Sequence, residues 1–279
     1  MRLTVLVDNA TLTDRYFLAE PGLSIYLEDD GSRVLFDAGY SGIFIANAQK
    51  MGIDLLRVGE VVLSHGHLDH TWGLDALIRL HTEAIIEGRE RIEPTFIAHP
   101  DAFLTRSRDG IGEIGCHLSV EELFRHGKVL LTAAPLWLTE NLVFLGEIER
   151  QFEFEQVSPG GYIYTPDGIR DDIIADDTAL ACRTPEGLVV VTGCSHAGIC
   201  SIVEQAREVC GEDRVVDVIG GFHLLNPPQE QMQGVLDYFS EVQPAALHPC
   251  HCTDLAAKIA LSRVANVRET GVGLHLEYG

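Results

Sequence analysis

The chain has 279 residues with 20 basic and 42 acidic side chains, which gives a formal net charge of -22 at pH 7. A hydrophobic fraction of 46% at this length predicts a globular protein with a substantial core and argues against disorder. The acidic excess argues against nucleic acid or an anionic membrane surface as a partner, because like charges repel.

The first half of the chain is predicted to consist mainly of strands. Short apolar runs between turn residues predict strands at 3–7, 23–27, 34–36, 61–63, 95–98, 129–131 and 142–145. Helical periodicity predicts helices at 42–51 and 72–81, and short helical pieces with loops are expected over 101–128. No apolar run approaches the roughly 20 residues that a membrane-spanning helix needs.

Residues 147–176 form the least regular part of the sequence. They contain the turn formers Pro159-Gly160-Gly161 and Pro166-Asp167-Gly168 within a stretch of mixed charge. We therefore expect a long loop or hairpin here, of the kind that serves as a lid or as a wall of a substrate site.

The second half alternates strands and helices. A hairpin is predicted over 178–192, and the elements expected after it are helices at 198–209, 229–239 and 254–264 and strands at 215–219, 245–247 and 273–277. Two mixed sheets between outer helices would explain both halves, so we predict a single α/β domain over 1–279 with four αββα layers. The start of the chain is too short in apolar residues for a signal peptide, and seven cysteines argue against a disulfide framework, so a cytoplasmic protein is expected.

The most informative segment follows the strand predicted at 61–63, where six residues contain His65, His67, Asp69 and His70. A loop at a strand end can direct the first two side chains toward one point and the last two toward a neighbouring point. Imidazole and carboxylate groups are good ligands for divalent zinc, manganese or iron. Two adjacent ligand sets predict two metal ions that share a bridging water.

This H-x-H-x-D-H segment resembles the signature of the metallo-β-lactamase-fold superfamily, and the resemblance extends over most of the chain. It implies the superfamily's αββα sandwich, with zinc as the expected metal and manganese, iron or magnesium as alternatives. Asp69 would then serve both as a ligand and as a catalytic residue. The strand at 34–36 followed by Asp37-Ala38-Gly39 is also similar to the superfamily, and Asp37 would orient the metal-binding loop.

A site for two metals also needs ligands from the second half, and the segment after the strand that ends at Thr192 offers two candidates. The superfamily places a bridging aspartate where this chain has Cys194, which is a departure from the pattern. His196, two residues later and just before a helix, is the substitute that we expect to bind metal. For Cys194 itself, a direct ligand and a small buried residue are both open.

The segment 246–253 contains the final ligand that the resemblance implies. The superfamily ends its ligand set with a histidine in a turn after a core strand, and His251 matches that position. The neighbouring His248, Cys250 and Cys252 raise a second possibility, a separate structural zinc site. Their spacing is too tight for one metal to use all four side chains, and no second C-x-x-C accompanies them.

Two further residues are expected at the same edge of the sheet. His223 follows the strand at 215–219 and is predicted to act as a general acid or base or to bind the substrate, although a loop histidine without such a role is equally expected. Asp177 precedes the strand that pairs with the one ending at Thr192, so it should lie near Cys194 and His196. The superfamily usually has a histidine near that point, and Asp177 is the predicted replacement ligand.

Three segments together narrow the resemblance: 193–199, 220–224 and 251–253. They resemble a subgroup that includes the archaeal 7,8-dihydropterin-6-methyl-4-(β-D-ribofuranosyl)aminobenzene 5'-phosphate synthase. The resemblance implies either a hydrolase or a synthase that transfers a dihydropterin in methanopterin-type cofactor biosynthesis. In both cases the partner is a small anionic substrate, phosphorylated or pterin-like. The alternative is a non-catalytic or redox protein that holds iron or zinc in the same site.

Overall fold

The computed structural model describes residues 1–155 and 159–279. Within this part of the chain, the strands are β1 (Arg2–Val7), β2 (Ser24–Asp29), β3 (Ser32–Phe36), β4 (Glu60–Val62), β5 (Thr95–Ala98), β6 (Arg106–Ser107), β7 (Lys128–Leu131), β8 (Leu136–Trp137), β9 (Leu142–Phe144), β10 (Tyr162–Thr165), β11 (Gly168–Asp171), β12 (Ala179–Thr184), β13 (Gly187–Thr192), β14 (Val215–Gly221), β15 (Ala246–Cys250) and β16 (His275–Glu277). The α-helices are α1 (Ile43–Lys50), α2 (Leu68–Thr71), α3 (Leu74–Ile86), α4 (Val120–Leu123), α5 (Ile199–Cys210), α6 (Gln229–Val242) and α7 (Leu255–Leu261).

Two mixed sheets form the centre of the fold. The first has the strand order β16-β1-β2-β3-β4-β5-β7, and the second has the order β15-β14-β13-β12-β9-β8. Strands β3, β4 and β5 run parallel in the first sheet, and β13, β14 and β15 run parallel in the second. Since the carboxyl ends of parallel strands meet at one edge, the loops after these six strands can converge.

The predicted four-layer αββα architecture is confirmed. One buried apolar cluster lies between the two sheets and includes Phe36 and Phe144. A second packs the first sheet against α1 and α3, and a third packs the second sheet against α5, α6 and α7. Strand β13 is buried along its whole length because sheet neighbours and both covering layers enclose it.

Local chemistry explains several element boundaries. The hairpin β12–β13 turns at Gly187, whose φ of 129° is one that side chains other than glycine rarely adopt. Helix α5 ends at Gly211 in the left-handed conformation, and α7 begins where the Asp254 side chain accepts the Ala257 N–H. The predicted elements agree with the structure to within a few residues, but the short strands β6 and β8 were not predicted.

The irregular segment predicted over 147–176 contains a hairpin. Strands β10 and β11 pair with each other, and β10 also pairs with β6, which gives a small third sheet. A short 3₁₀ turn at Glu153–Glu155 precedes the hairpin, and three residues of the segment, 156–158, lie outside the described part of the chain. This small sheet lies over the edge where the six parallel strands end.

Candidate metal centre

The loop after β4 is held by the carboxylate of Asp37, which follows β3. Its Oδ1 accepts the backbone N–H of Ser64 at 2.7 Å, and its Oδ2 accepts both the Ser64 hydroxyl and His70 Nδ1 at 2.7 Å. The Ser64 hydroxyl lies 2.9 Å from His65 Nδ1. Because that hydroxyl donates its one hydrogen to Asp37, it accepts from His65 Nδ1–H and leaves His65 Nε2 with a free lone pair.

A first donor group consists of three histidines, His65, His67 and His196. His65 Nε2 and His67 Nδ1 lie 3.0 Å apart, and the His196 ring lies 4.8 Å and 4.9 Å from those two rings. His196 Nε2 is buried and has no hydrogen-bond partner among the described residues. The structure thus brings together the two histidines of the β4 loop and the one predicted after β13.

A second donor group consists of Asp69, His70 and His251. The Nε2 atoms of the two histidines lie 3.2 Å apart, and the Asp69 carboxylate lies 3.4 Å from His251 Nε2 and 3.9 Å from His70 Nε2. The Nδ1–H of His70 is directed at Asp37, so its Nε2 faces the group. The final predicted ligand, His251, therefore meets the aspartate and third histidine of the β4 loop.

Cys194 lies between the two groups. Within residues 1–155 and 159–279, two sets of three donor atoms lie within 4.8 Å of one another: His65, Cys194 and His196, and His70, Cys194 and His251. The Cys194 sulfur is 3.2 Å from His70 Nε2. Of the two possibilities that the sequence left open for this residue, the geometry favours a direct ligand.

Two residues that follow β1 hold His251, and the sequence reasoning missed the first of them, Asp8. Asp8 accepts the backbone N–H of His251 at 2.8 Å, and Asn9 Oδ1 lies 3.1 Å from His251 Nδ1. The Asn9 amide also donates to the His251 carbonyl at 3.2 Å. These contacts direct His251 Nε2 inward. No local motif marks Asp8, which is 243 residues away from its partner.

Asp177 and His223 lie at the rim of the first group. One oxygen of Asp177 accepts the Ala197 N–H at 2.8 Å, while the other is buried without a partner among the described residues. Asp177 belongs to neither set of three donors, so its role as a ligand stays a prediction. The His223 ring lies 4.3 Å from the His196 ring and lines the cavity above the groups.

Four site residues hold a left-handed backbone conformation although none is glycine. The φ angles are 59° at Asp37, 58° at Ser195, 52° at His223 and 52° at His251. Each of these residues follows a strand whose carboxyl end faces the cluster. Such conformations cost roughly 1 kcal/mol or more each and persist where the surrounding contacts hold them. Here they turn the chain sharply so that its side chains point into the cluster.

The electrostatics of the two groups differ. Burial, and then the other positive groups of the cluster, lower the pKa of His65 and His196 well below the usual 6.5. Burial, and then the Arg106 guanidinium, lower the pKa of His67 to about 4. In the second group burial opposes protonation of His70, but Asp37 and then Asp69 raise its pKa to about 9. The first group is therefore neutral at pH 7, whereas His70 carries a proton that a metal ion must displace.

The donor chemistry fits divalent cations. His65, His70 and His251 each direct Nδ1 at an oxygen of the protein, so three Nε2 atoms face the cluster as metal donors, that of His70 once its proton is displaced. Imidazole nitrogen, thiolate sulfur and carboxylate oxygen are the ligands of zinc and iron sites, and the buried His196 Nε2 needs such a partner.

A cavity of about 650 Å³ opens above both groups. Its walls include the apolar side chains of Ile111 and Ile173 and the guanidinium groups of Arg108 and Arg150. Arg150 donates to the carbonyl oxygens of His196 and Ile173. Neither arginine forms an ion pair with a carboxylate in the described part of the chain, so both leave positive charge at the cavity.

The separate zinc site considered for 248–252 does not form in the described residues. His248 Nδ1 lies 2.9 Å from Asp217 Oδ1, and neither His248 nor Cys250 belongs to a group of three donors. His251 lies in the second donor group.

Among the described residues, no helix has the length and apolarity needed to cross a membrane.

Comparison with protein families finds one matching model. The model for the metallo-beta-lactamase superfamily matches residues 18–207, which include the β4 loop, Cys194 and His196. The match therefore covers more than half of the chain and most of the residues assembled above.

Two proteins of Methanocaldococcus jannaschii are similar over most of their length. An uncharacterised protein is 30% identical over 266 residues, which is 95% of both chains. The 7,8-dihydropterin-6-methyl-4-(beta-D-ribofuranosyl)-aminobenzene-5'-phosphate synthase is 29% identical over 252 residues, which is 87% of this chain and 84% of the synthase. A crystal structure described as a metal-dependent hydrolase of the beta-lactamase superfamily superposes with a TM-score of 0.83 at 30% identity, over 100% of this chain and 99% of the hydrolase.

Proposed function

Since this chain belongs to the metallo-beta-lactamase superfamily, we propose that it is a metal-dependent enzyme that acts on a small anionic substrate. The proposed cofactors are two divalent cations, zinc in the first instance, one in each donor group. Proteins of this superfamily bind metal ions, and the chain offers candidate histidine and cysteine groups for them. The observation that carries the proposal is the pair of donor sets that share Cys194 at the floor of one cavity.

The metal ions, when bound, would supply Lewis acidity to polarise a substrate oxygen and to lower the pKa of a water. The protein's own residues would then position and exchange protons. Asp69 lies where it can bind metal and orient the water, and His223 lines the cavity with a buried Nδ1 that has no partner among the described residues. We assign His223 the general acid role, with the proton held at that atom.

The cavity supports an anionic substrate in spite of the net charge of -22. Arg108 and Arg150 face it without carboxylate partners in the described chain, and guanidinium groups suit phosphate and carboxylate oxygens. The acidic side chains of the cavity are engaged elsewhere, Asp69 by histidines and Asp172 by Arg106. With two divalent cations bound as proposed, the cavity would present positive charge in a protein whose net charge is negative.

Hydrolase and synthase chemistry remain two forms of this proposal. The structural relative at 30% identity is named a metal-dependent hydrolase, and the relative at 29% identity is named a synthase of a pterin phosphate. A non-catalytic or redox metal protein is the competing function, and the thiol of Cys252, 3.4 Å from the Cys194 carbonyl, is the feature that favours it.

The proposed function is tested by metal analysis together with turnover. We expect the purified protein to hold two metal ions per chain and to hydrolyse bis(4-nitrophenyl) phosphate or a simple lactone, or else to be stabilised by a phosphorylated pterin. His65→Ala combined with His67→Ala should lower the metal content from two ions to one and abolish turnover. His126→Ala is the control, because His126 lies outside both donor groups and the cavity. Less than one metal per chain, or activity that survives the double change, would contradict the proposal.

A further inference from the structure

Beneath the first donor group lies a buried cluster of charge centred on Arg106. This arginine is the largest fully buried side chain in the described chain, with no exposed surface. Its Nε donates to Asp172 at 2.8 Å, and its Nη2 donates to Asp176 at 2.5 Å. Arg106 belongs to β6 of the small sheet, so the cluster joins that sheet to the chain just before β12.

The second oxygen of Asp176 reaches the loop that holds the first group. It accepts the backbone N–H of Gly66 at 2.8 Å, and Gly66 is the residue between His65 and His67. A Cβ at Gly66 would overlap Arg106 Nη1 and the Ala102 carbonyl, so only glycine fits this contact. The guanidinium therefore packs directly against the backbone between two proposed ligands.

The next carboxylate along the chain makes the equivalent contact on the other side of the group. Asp177 accepts the N–H of Ala197, the residue after His196. Two consecutive carboxylates thus bind the backbone beside all three histidines of the first group. Asp8 and Asn9 support the second group, and Asp37 supports both groups through His70 and through Ser64 beside His65. None of the three contacts Arg106.

We propose that Arg106 and Asp176, with Asp177 beside them, position the first donor group, so that this buried cluster sets the metal affinity of that group alone. The inference rests on the proposed function, since it presumes that the group holds a metal ion. Arg106 acts through Asp176, and Asp176 acts through the Gly66 N–H. Neither side chain needs to touch substrate.

The physical reason is that a ligand's affinity for metal depends on how its lone pair is aimed. Residues that orient metal ligands typically contribute about ten- to a hundredfold to metal affinity. One oxygen of Asp176 accepts the Gly66 N–H while Arg106 holds the other, and this fixes the directions of His65 and His67 at once. The planar guanidinium can hold both carboxylates, which a single ammonium group cannot do with the same geometry.

A matched pair of variants separates positioning from stability. Asp176→Asn and Asp172→Asn each remove one of the two carboxylates that pair with Arg106, and both sites are buried. Only Asp176 also contacts Gly66. Both variants would be compared as zinc-loaded proteins, with zinc release to a chromophoric chelator followed by absorbance and the number of bound ions followed by native mass spectrometry. Thermal unfolding would report the shared loss of stability.

We expect similar losses of stability but different metal binding. Asp172→Asn should keep two tightly held ions. Asp176→Asn should release one of its ions at a chelator concentration about ten- to a hundredfold lower than the unmodified protein requires. Combined with His251→Ala, which disables the second group, Asp176→Asn should weaken the remaining ion and Asp172→Asn should not. Equal zinc retention by Asp176→Asn and Asp172→Asn would overturn the inference.

A second variant covers the case in which Asp176→Asn does not fold. Arg106→Lys keeps the buried charge but not the bidentate geometry, and we expect it to weaken the same ion by a smaller factor than Asp176→Asn. Unchanged retention in Arg106→Lys would also contradict the positioning role. If the unmodified protein holds less than one zinc ion, the proposed function itself fails, which this titration shows before any variant is compared.

Discussion

The two donor groups differ in the state in which the protein holds them before any metal binds. The first is made of imidazoles whose pKa values are lowered by burial, and backbone contacts to Asp176 and Asp177 fix its loops. The second contains a carboxylate and His70. Burial lowers the pKa of His70, but Asp37 and Asp69 outweigh this effect and raise the pKa to about 9. The first group thus offers free lone pairs at neutral pH, and the second must release a proton.

This difference indicates an order of loading. The histidines of the first group release no proton to a cation at neutral pH, whereas a cation in the second group competes with the proton on His70. Once the second cation has entered, Asp37 can still hold the Nδ1–H of His70, because the proton lost is the one at Nε2. The shared Cys194 links the two steps, because burial raises its pKa and a metal ion favours the thiolate.

The largest expected effect comes from removing the shared thiol. Cys194→Ser should weaken both ions, each by at least about a hundredfold, because a hydroxyl is a poor replacement for a thiolate in both groups. Metal content after dialysis against a weak chelator measures this. Cys252→Ser is the control, since Cys252 lines the same cavity but belongs to neither donor set. Loss of a single ion would show that Cys194 serves one group only.

Removing one histidine from each group gives the next effect. His196→Ala and His251→Ala should each lower the metal content from two ions to one and reduce turnover by about a hundredfold or more. The comparison predicts different residual behaviour. Binding of either remaining ion releases the Cys194 proton, but the ion left in His196→Ala must also displace the proton on His70. The affinity of that ion should therefore fall more steeply as the pH falls than the affinity of the ion left in His251→Ala. Identical pH dependence would remove the distinction between the groups.

The sequence was sufficient to predict which donor residues lie together, where these are close in the chain or follow a strand. His65 and His67 lie in the loop after β4 and Asp69 and His70 in α2, and the parallel strands explain why His196 and His251 join them. Their supporting contacts could not be predicted, because the partners lie far apart in the chain. Asp176 is 110 residues from Gly66, and Arg106 is 70 residues from Asp176. Arg106 is also completely buried, and nothing in the sequence around it indicates that this charged side chain would be.

The pair His70–Asp37 gives a pH test in the metal-free protein. The folded pKa of about 9 exceeds the unfolded value of about 6.5, so the pair contributes stability that is present below pH 6.5 and is lost as the pH rises to 9. The contribution is at most about 3 kcal/mol for a shift of this size. Asp37→Asn should lack most of this contribution, and Asp69 should retain the rest.

Urea unfolding of both proteins at pH 6, 8 and 10 measures this contribution, with a chelator present. The stability difference between the unmodified protein and Asp37→Asn should shrink over this range. In the zinc-loaded protein the same loss should be absent, because His70 is then already deprotonated at Nε2. A constant difference between the two metal-free proteins would show that His70 does not carry the proton assigned to it.

The smallest expected effect concerns the helix that follows the first group. Glu155 accepts the N–H groups of Cys200 and Ser201 at the start of α5, and burial raises its pKa above the usual 4.5 despite these contacts. The folded state therefore binds the proton of Glu155 more tightly than the unfolded state. As a result, the unfolding free energy falls as the pH rises from 4.5 to the folded pKa. Glu155→Gln, which carries no charge, should therefore become more stable relative to the unmodified protein as the pH rises.

Glu122, at the exposed start of α4, should change the stability with pH in the opposite direction. Hydrogen bonds from Ser119 lower its pKa, so it contributes stability above pH 4.5 that is lost as the pH falls. Glu122→Gln should therefore become less stable relative to the unmodified protein over the same rise in pH. Urea unfolding of the metal-free proteins between pH 4 and 7 compares the two slopes. If the two slopes share one sign, burial does not dominate the pKa of Glu155.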